Sequence, residues 1–286
     1  MHTMLRIVAL LSALWLIPAG AASASAPLGV FVSILPQKYF VQSVGGAQVA
    51  VSVMVGPGQS PETYAPTPRQ MAALSGARLY FSIGVPFEDS WMKRVLAANP
   101  ALRQVPMQRG VAPLPLVGPG GALGGTDPHV WTSPARVKIM AANIRDALIE
   151  ADPAHRSEFE SNYSAFLAEL DVLDQQVREI LAPARGRGPF MVFHPAWGYF
   201  AKDYGLRQIP IEAEGKEPGA RSLARVIDLG RREGVKVIFV QTQFSRRTAQ
   251  TVAAAIGARV VAVDPLAENY PQNLLRVARA FAAALK

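Results

Sequence analysis

The stretch that determines the fold is Asp152–Leu181, with the sequence DPAHRSEFESNYSAFLAELDVLDQQVREIL. Its apolar residues recur at steps of three and four and are Phe159, Tyr163, Phe166, Leu170, Leu173, Val177 and Ile180. This periodicity predicts an amphipathic helix, which begins at Asp152-Pro153 and ends before Pro183. A helix of about 28 residues is ~42 Å long. Because that length exceeds the width of one small domain, we predict a stiff helix that connects two lobes.

Short apolar runs alternate with helical patterns on both sides of this helix. The predicted strands are Leu28–Leu35, Val49–Val55, Leu79–Ile83, Phe190–Phe193, Val235–Val240 and Arg259–Val263. The predicted helices between and after them are Pro66–Leu74, Phe87–Ala98, Gly198–Tyr204, Leu223–Glu233, Ser245–Ile256 and Tyr270–Leu285. Such alternation predicts an α/β fold class, with two α/β lobes whose parallel sheets are flanked by helices.

These patterns divide the chain into an N-terminal lobe at 25–151, a connecting helix at 152–183 and a C-terminal lobe at 184–286. Ser133-Pro134 has the residues of a helix start. Leu114–Gly125 is rich in Gly and Pro, carries no charge and is predicted to be a loop. No internal repeat is visible in the sequence.

Residues 1–24 are predicted to be a secretory signal peptide. A charged start at Met1–Arg6 precedes an apolar run at Ile7–Gly20 and a series of small residues at Ala21–Ala26. Cleavage is expected after Ala24. The alternative is a membrane anchor, but an apolar run of about 14 residues is shorter than the ~20 that cross a bilayer. We therefore expect the mature protein in the periplasm.

The sequence contains no cysteine. The mature chain is therefore expected to have no disulfide partner and no lipid-anchored N-terminal cysteine, and any metal site has to use imidazole and carboxylate groups. The net charge is +8, but Lys and Arg are scattered, and the basic runs Arg185-Gly186-Arg187 and Arg231-Arg232 are short. This pattern indicates a basic, solvated surface, and nucleic acid is not an expected partner.

Two histidines and two acids stand at positions where α/β proteins bind ligands. His194 directly follows a predicted strand, His129 precedes a predicted helix start, and Glu62 and Asp264 each follow a strand. Ligands of open α/β sheets bind beyond the carboxyl ends of the strands. Each residue alone could instead be a structural turn, cap or core residue. Together, Glu62, His129, His194 and Asp264 can form a four-ligand site for a divalent metal ion.

The other two histidines are not expected at this site. His2 would leave with the signal peptide, and His155 stands beside Arg156 in polar surroundings, where a surface position is predicted.

Five segments resemble, in order, the motifs of one family. They are SPETYAPTPRQM at 60–71, DPHVW at 127–131, FHPAWGYF at 193–200, GKEP at 215–218 and DPL at 264–266. They are similar to segments of the zinc- and manganese-binding proteins of ATP-driven (ABC-type) importers, the cluster A-I metal-binding solute-binding proteins. The resemblance implies two lobes joined by one long helix, with the metal ion in the cleft between them. It also implies a monomer that is not an enzyme and whose partner is an ABC-type membrane permease.

The resemblance implies that His129 and His194 are ligands and that Asp264 is the aspartate of the C-terminal lobe. Glu62 stands where the family usually has histidine. Because a carboxylate can replace imidazole, we keep it as the fourth ligand. It makes the site harder, which favours manganese (Mn²⁺) or iron (Fe²⁺) as alternatives. Zinc (Zn²⁺) remains the expected ion, because N/O sites generally bind it more tightly and the histidine motifs look most like the zinc branch. Leu114–Gly125 lacks the His- and acid-rich composition often found in zinc-specific relatives.

Two other classes of function remain open. A periplasmic metallo-hydrolase would need an open coordination position and a general base, with Glu62 as that base, but no H-E-x-x-H motif is present. An adhesin or scaffold without metal is supported only by the glutamate at position 62. Glu212, Glu214 and Glu217 could form an acid/base cluster, and we prefer a structural role for them in supporting the cleft.

Overall fold

The strands of the N-terminal lobe form one parallel sheet. They are β1 (Leu28–Ile34), β2 (Val49–Val55), β3 (Leu79–Ser82) and β4 (Arg103–Pro106), in the order β2-β1-β3-β4. The helices α1 (Leu35–Gly45), α2 (Pro68–Leu74) and α3 (Pro86–Ala98) connect them. The last five residues of β1 are buried, as expected of a central strand that is covered on both faces. The computed structural model describes residues 26–212 and 215–285, so the predicted signal peptide lies outside the described residues.

A hairpin and two helices follow this sheet. Strands β5 (Pro115–Val117) and β6 (Leu123–Thr126) pair antiparallel, and the helices are α4 (Pro134–Ala151) and α5 (Arg156–Leu181). The Ser133 side chain caps α4 by accepting a hydrogen bond from the N–H of Arg136, at the predicted helix start. The long helix α5 begins later than predicted, because Pro153–His155 form a 3₁₀ turn before it.

The C-terminal lobe repeats the topology of the first. Its strands are β7 (Pro189–Val192), β8 (Arg207–Pro210), β9 (Val237–Gln241) and β10 (Arg259–Val263), and its helices are α6 (Gly198–Tyr204), α7 (Ala220–Arg232), α8 (Arg246–Ile256) and α9 (Tyr270–Ala284). The parallel sheet has the order β10-β9-β7-β8. Counted within each lobe, both sheets have the order second-first-third-fourth. The predicted fold class is therefore confirmed, and the two lobes share a topology that no sequence repeat revealed.

The crossovers change direction between β1 and β3 in one lobe and between β7 and β9 in the other. In open α/β sheets, ligands bind at the carboxyl ends of the strands where this change occurs. The topology therefore provides one such position in each lobe.

Helix α5 joins the cores of the two lobes. Its buried residues are Phe159, Phe166, Leu170, Leu173, Val177 and Leu181. The helix packs on α1 and α4 of the N-terminal lobe and on α9 of the C-terminal lobe. The Phe166 ring lies 6.1 Å from Phe40 of α1, and Phe40 lies 4.8 Å from Tyr270 of α9, between ring centroids. One hydrophobic core thus runs from lobe to lobe across the long helix.

Polar contacts between the lobes add to this core. Asp203 of α6 accepts hydrogen bonds from Nε and Nη2 of Arg136 at 3.2 and 2.8 Å, and from the hydroxyl of Ser133 at 2.5 Å. Burial alone would raise the pKa of Asp203, but the hydrogen bonds from Arg136 and Ser133 outweigh burial and hold the pKa below its ordinary value. Trp131 Nε1–H donates to the carbonyl oxygen of Pro265 at 2.8 Å. The lobes are therefore fixed to each other by directional contacts as well.

Several elements were not predicted from the sequence. Helix α1 follows β1 without a break. Its first residue, Leu35, was predicted as the end of the strand, and the rest of the helix, from Pro36, was not predicted. Strands β4 and β8 have the sequences RQVP and RQIP, which are too short and too polar to show a strand pattern. The prediction of a loop at Leu114–Gly125 is wrong in part, because this segment contains β5 and most of β6.

The buried and exposed faces of α5 should differ sharply in their effect on stability. Phe166→Ala is expected to lower the free energy of unfolding by about 3–5 kcal/mol, because it removes a buried ring between the lobes. Val172 on the same helix is 58% exposed, and Val172→Ala should change the free energy of unfolding by less than about 0.5 kcal/mol. Guanidinium unfolding of both variants measures the difference, and equal effects would contradict the role given to this helix.

Candidate metal site

Three of the four predicted site residues meet in the cleft between the lobes. Glu62 lies between β2 and α2, His129 between β6 and α4, and His194 just beyond β7. One potential ligand atom of each residue lies within 4.8 Å of the other two. The Nε2 atoms of the two histidines are 3.0 Å apart, and Glu62 Oε1 is 3.7 Å from His194 Nε2. Each lobe therefore directs one imidazole at the same point.

His129 is oriented by the carboxylate two residues before it. Asp127 Oδ1 accepts the backbone N–H of His129 at 2.9 Å and lies 2.7 Å from His129 Nδ1. Both side chains are buried. Because an ionised carboxylate can only accept hydrogen bonds, the Nδ1 atom carries the proton. The Nε2 atom is therefore the ring nitrogen that can offer a lone pair to a metal ion, and it faces His194.

His194 is held in the same way by the C-terminal lobe. Glu212 Oε1 contacts its Nδ1 atom and fixes the proton there. Gln241, at the end of β9, accepts the His194 N–H at 3.1 Å and donates to the His194 carbonyl oxygen at 2.7 Å. The Phe244 ring stacks on the imidazole with 4.9 Å between centroids and 21° between planes. His194 is thus positioned where the crossovers of this sheet change direction.

The two fixed rings present two lone pairs to one small space. Two bare Nε2 atoms 3.0 Å apart repel each other unless a cation or a proton lies between them. Metal–nitrogen bonds of about 2.0–2.1 Å place two nitrogens of a tetrahedral ion about 3.3 Å apart. The observed separation is close to that value, and Glu62 adds an oxygen donor. This donor set is the kind that binds a divalent transition metal.

The cavity at this point has room for a single ion. Its volume is about 20 Å³, somewhat more than the ~10–15 Å³ that one water molecule requires. Glu62 and His129 line it from one lobe, and His194 and Phe244 line it from the other. A larger cleft of about 520 Å³ reaches the same Glu62, His129 and His194 side chains. An ion could therefore enter from the cleft and lose most of its water in the cavity.

Asp264, the fourth predicted ligand, is not in this group. Its Oδ1 atom accepts hydrogen bonds from Gln243 Nε2 and from the N–H of Leu266, both at 2.9 Å. Asp264 does not line the cavity, although Pro265 and Leu266 do. The hydrogen bond to Leu266 is the turn interaction that Asp before Pro favours.

The remaining acidic and histidine candidates lie elsewhere or have structural contacts. His155 Nδ1 lies 2.6 Å from Asp152 Oδ2, at the start of the long helix. Glu217 accepts a hydrogen bond from the hydroxyl of Thr248 at 2.7 Å. Glu212 contacts His194 and so has a structural role in the cleft. Glu214 lies outside the described residues.

Sequence reasoning missed three residues that hold the histidines. Asp127 was considered only as part of the DPHVW motif, although an acid two residues before a candidate ligand is a recognisable signal. Gln241 and Phe244 come from a different strand and loop than His194, and no local pattern connects them to it. Only the pairing of β7 with β9 brings them together.

Comparison with known proteins identifies the family of this chain. The family model "ZnuA: Zinc-uptake complex component A periplasmic" matches residues 30–284. A putative metal-binding protein of Chlamydia trachomatis is 28% identical over 88% of this chain and 90% of its own length. The iron-binding protein YfeA of Yersinia pestis is 31% identical over 79% of this chain and 74% of its own length. A crystal structure of ZnuA is 43% identical, with a TM-score of 0.85, and the match covers 91% of this chain and 100% of the solved one. The protein therefore belongs to the ZnuA family of periplasmic metal-binding proteins of ABC-type importers.

Proposed function

We propose that this protein captures Zn²⁺ between its lobes and delivers it to an ABC-type membrane permease. The observation that carries the proposal is the convergence of His129 Nε2, His194 Nε2 and the Glu62 carboxylate on a cavity of about 20 Å³. The protein would bind the ion tightly, select it over other ions and release it to the permease. Membership of the family makes the chain a solute-binding protein and not an enzyme, as the sequence predicted.

Glu62, His129 and His194 are the proposed ligands, and Asp264 stays the proposed fourth. The hydrogen bonds that Asp264 accepts from Gln243 and Leu266 both end on Oδ1. A second carboxylate oxygen can therefore bind an ion without breaking them. The next two residues, Pro265 and Leu266, already line the cavity. Four protein ligands would close the coordination of a tetrahedral ion and leave no position for a reacting water.

Zinc is the metal that this donor set and this family support best. Two imidazoles favour zinc over Mn²⁺ and Fe²⁺, which bind N/O sites more weakly. The family model describes a zinc-uptake component, and the solved relative is a ZnuA. The carboxylate of Glu62 in place of an imidazole keeps iron and manganese as alternatives, and the YfeA relative is described as iron-binding.

The family is periplasmic, and we propose that this chain is exported by a signal peptide cleaved after Ala24. It would then be a free monomer without a lipid anchor, since the sequence has no cysteine to carry one. Within the described ranges, no helix is long and apolar enough to cross a membrane.

The two cleft histidines should be essential for affinity, whereas a third histidine should not. His129→Ala and His194→Ala each remove an Nε2 donor and should raise the Kd for zinc more than about tenfold. His155→Ala is the matched control, because His155 also contacts an aspartate, at 2.6 Å, but lies outside the cleft. Isothermal titration with competing chelators measures all three. An equal loss at His155 would mean that the site lies elsewhere.

Two acidic variants test the oxygen ligands. Glu62→Gln keeps the size of the side chain but removes its charge, and it should raise the Kd for zinc more than about tenfold. Asp264→Asn should also raise the Kd if Oδ2 binds the ion. Thr248 binds Glu217 away from the cavity, so Glu217→Gln is the control and should leave the Kd unchanged. An unchanged Kd in Glu62→Gln would remove Glu62 from the ligand set, and the same result for Asp264→Asn would leave three ligands.

The physiological metal can be identified by measurements that assume no particular ion. Protein purified without added metal should contain zinc by elemental analysis. After chelation, a metal ion at a hundredfold excess over its Kd should add ~2.7 kcal/mol to the free energy of unfolding. We expect zinc to raise the melting temperature at lower concentration than Mn²⁺ or Fe²⁺. If none of these ions changes the melting temperature, the proposed function is wrong.

A further inference from the structure

Helix α6 contacts the N-terminal lobe at a point directly behind the metal site. Its first residue is Gly198, four residues after His194. A Cβ atom added at Gly198 would lie 2.4 Å from Asp127 Oδ2, closer than real Cβ atoms come to other heavy atoms. Gly198 starts a helix, so its backbone does not require glycine. The close approach of the Asp127 carboxylate is what requires it.

Asp127 is the group that orients His129, through the opposite oxygen of the same carboxylate. Its Oδ1 atom holds the backbone N–H and Nδ1 of His129, while Oδ2 rests on Gly198. Gly198 of the C-terminal lobe therefore contacts the Asp127 side chain, which orients the His129 ring of the N-terminal lobe.

The C-terminal end of α6 contacts the part of the chain that follows His129. Asp203 binds Ser133 and Arg136 at the start of α4. A single 3₁₀ turn, Val130–Thr132, separates that start from His129. The guanidinium of Arg136 also lies 5.6 Å from the centroid of the Tyr199 ring of α6. Helix α6 thus contacts the segment that carries His129 both before and after the histidine.

Only three residues, Pro195–Trp197, separate His194 from the start of the same helix, and hydrogen bonds hold this segment in place. The N–H of Ala196 donates to the His194 carbonyl oxygen at 2.8 Å, and the N–H of Trp197 donates to Gln208 of β8 at 3.1 Å. A displacement of α6 would therefore move His194 relative to the 127–136 segment.

We propose that α6 is a spacer that sets the distance between the two imidazoles, with Gly198 and Asp203 as positioning residues for metal binding. The inference rests on the proposed function, because it assumes that the ion binds between His129 and His194. Neither residue would touch the ion. Each acts through a group that fixes His129, and metal sites lose about 10–100-fold in affinity when such supporting groups are removed.

Gly198→Ala is the central variant. The added methyl group pushes the Asp127 carboxylate away, and the Kd for zinc should rise about tenfold or more. Gly230→Ala is the matched control in helix α7. A Cβ atom there would meet only the side-chain ends of Met191 and Ile256, at 3.0 and 3.1 Å. Gly230→Ala should lower the melting temperature of the metal-free protein without changing the Kd for zinc.

A double-mutant cycle separates positioning from general damage. In an Asp127→Ala background, Gly198→Ala should have no further effect on the Kd, because the carboxylate that it displaces is gone. NMR of the ring nitrogens should show that Gly198→Ala weakens the hydrogen bond of His129 Nδ1–H and leaves that of His194 unchanged. Fully additive effects on the Kd, or an unchanged His129 signal, would overturn the proposal.

Asp203→Asn tests the contact of α6 with Ser133 and Arg136, and it adds no volume to the core. It should raise the Kd for zinc, whereas Asp146→Asn on α4, where the aspartate is exposed and paired with Arg145, should not. If the unaltered protein fails to bind zinc, manganese or iron, the proposed function fails. If it binds zinc and both Gly198→Ala and Asp203→Asn keep its Kd, only the spacer role of α6 is wrong.

Discussion

The distance between two nitrogen atoms from different lobes constrains the whole molecule. His129 and His194 hold their Nε2 atoms 3.0 Å apart, and metal–ligand bonds tolerate deviations of only about 0.2 Å. Two lobes joined by a flexible linker would not keep that distance. The aromatic contacts of Phe40, Phe166 and Tyr270 and the long helix α5 make the two cores continuous. Since packed interiors deform little, this continuous core favours a fixed arrangement of the lobes around the histidine pair.

A fixed histidine pair leaves adjustment to Glu62 and Asp264, the proposed oxygen ligands. Glu62 lies in a stretch between β2 and α2 that has turns but no helix or strand, and its side chain keeps about a tenth of its surface exposed. Asp264 likewise lies in a turn, between β10 and α9. Loops of this kind are the segments that move at lowest cost. Capture and release of the ion would then proceed through these two loops, while the imidazoles stay in place as a prepared half of the site.

The sequence predicted what depends on local pattern and missed what depends on pairing. Val49–Val55 and Arg259–Val263 were predicted with the bounds that the structure has, because each is an uninterrupted β-prone run. Strands β4 and β8 gain their structure only from a neighbouring strand, and four residues of mixed polarity carry no signal of it. Glu62, His129 and His194 were predicted as ligands because each follows a strand or precedes a helix. Glu212 was predicted to support the cleft, but its contact with His194, 18 residues away, and that of Gln241, 47 residues away, come only from the fold.

Charge explains why the site attracts a cation, and the types of donor atom explain how it can select one. Asp127 and Glu212 are 2% and 1% exposed, and Glu212 Oε2 has no hydrogen-bond partner among the described residues. Burying carboxylates costs several kcal/mol each unless a positive charge is close. A divalent ion between the histidines would supply that positive charge, and the carboxylate of Glu62 would increase the attraction. Coulomb attraction depends on charge and distance and differs little among divalent ions. Discrimination among divalent ions therefore depends on the balance of donor types, and the two nitrogen donors of the proposed site favour zinc. In the proposed site, Glu62 would strengthen the binding of an ion and shift the preference toward harder ions, whereas His129 and His194 would shift it toward zinc.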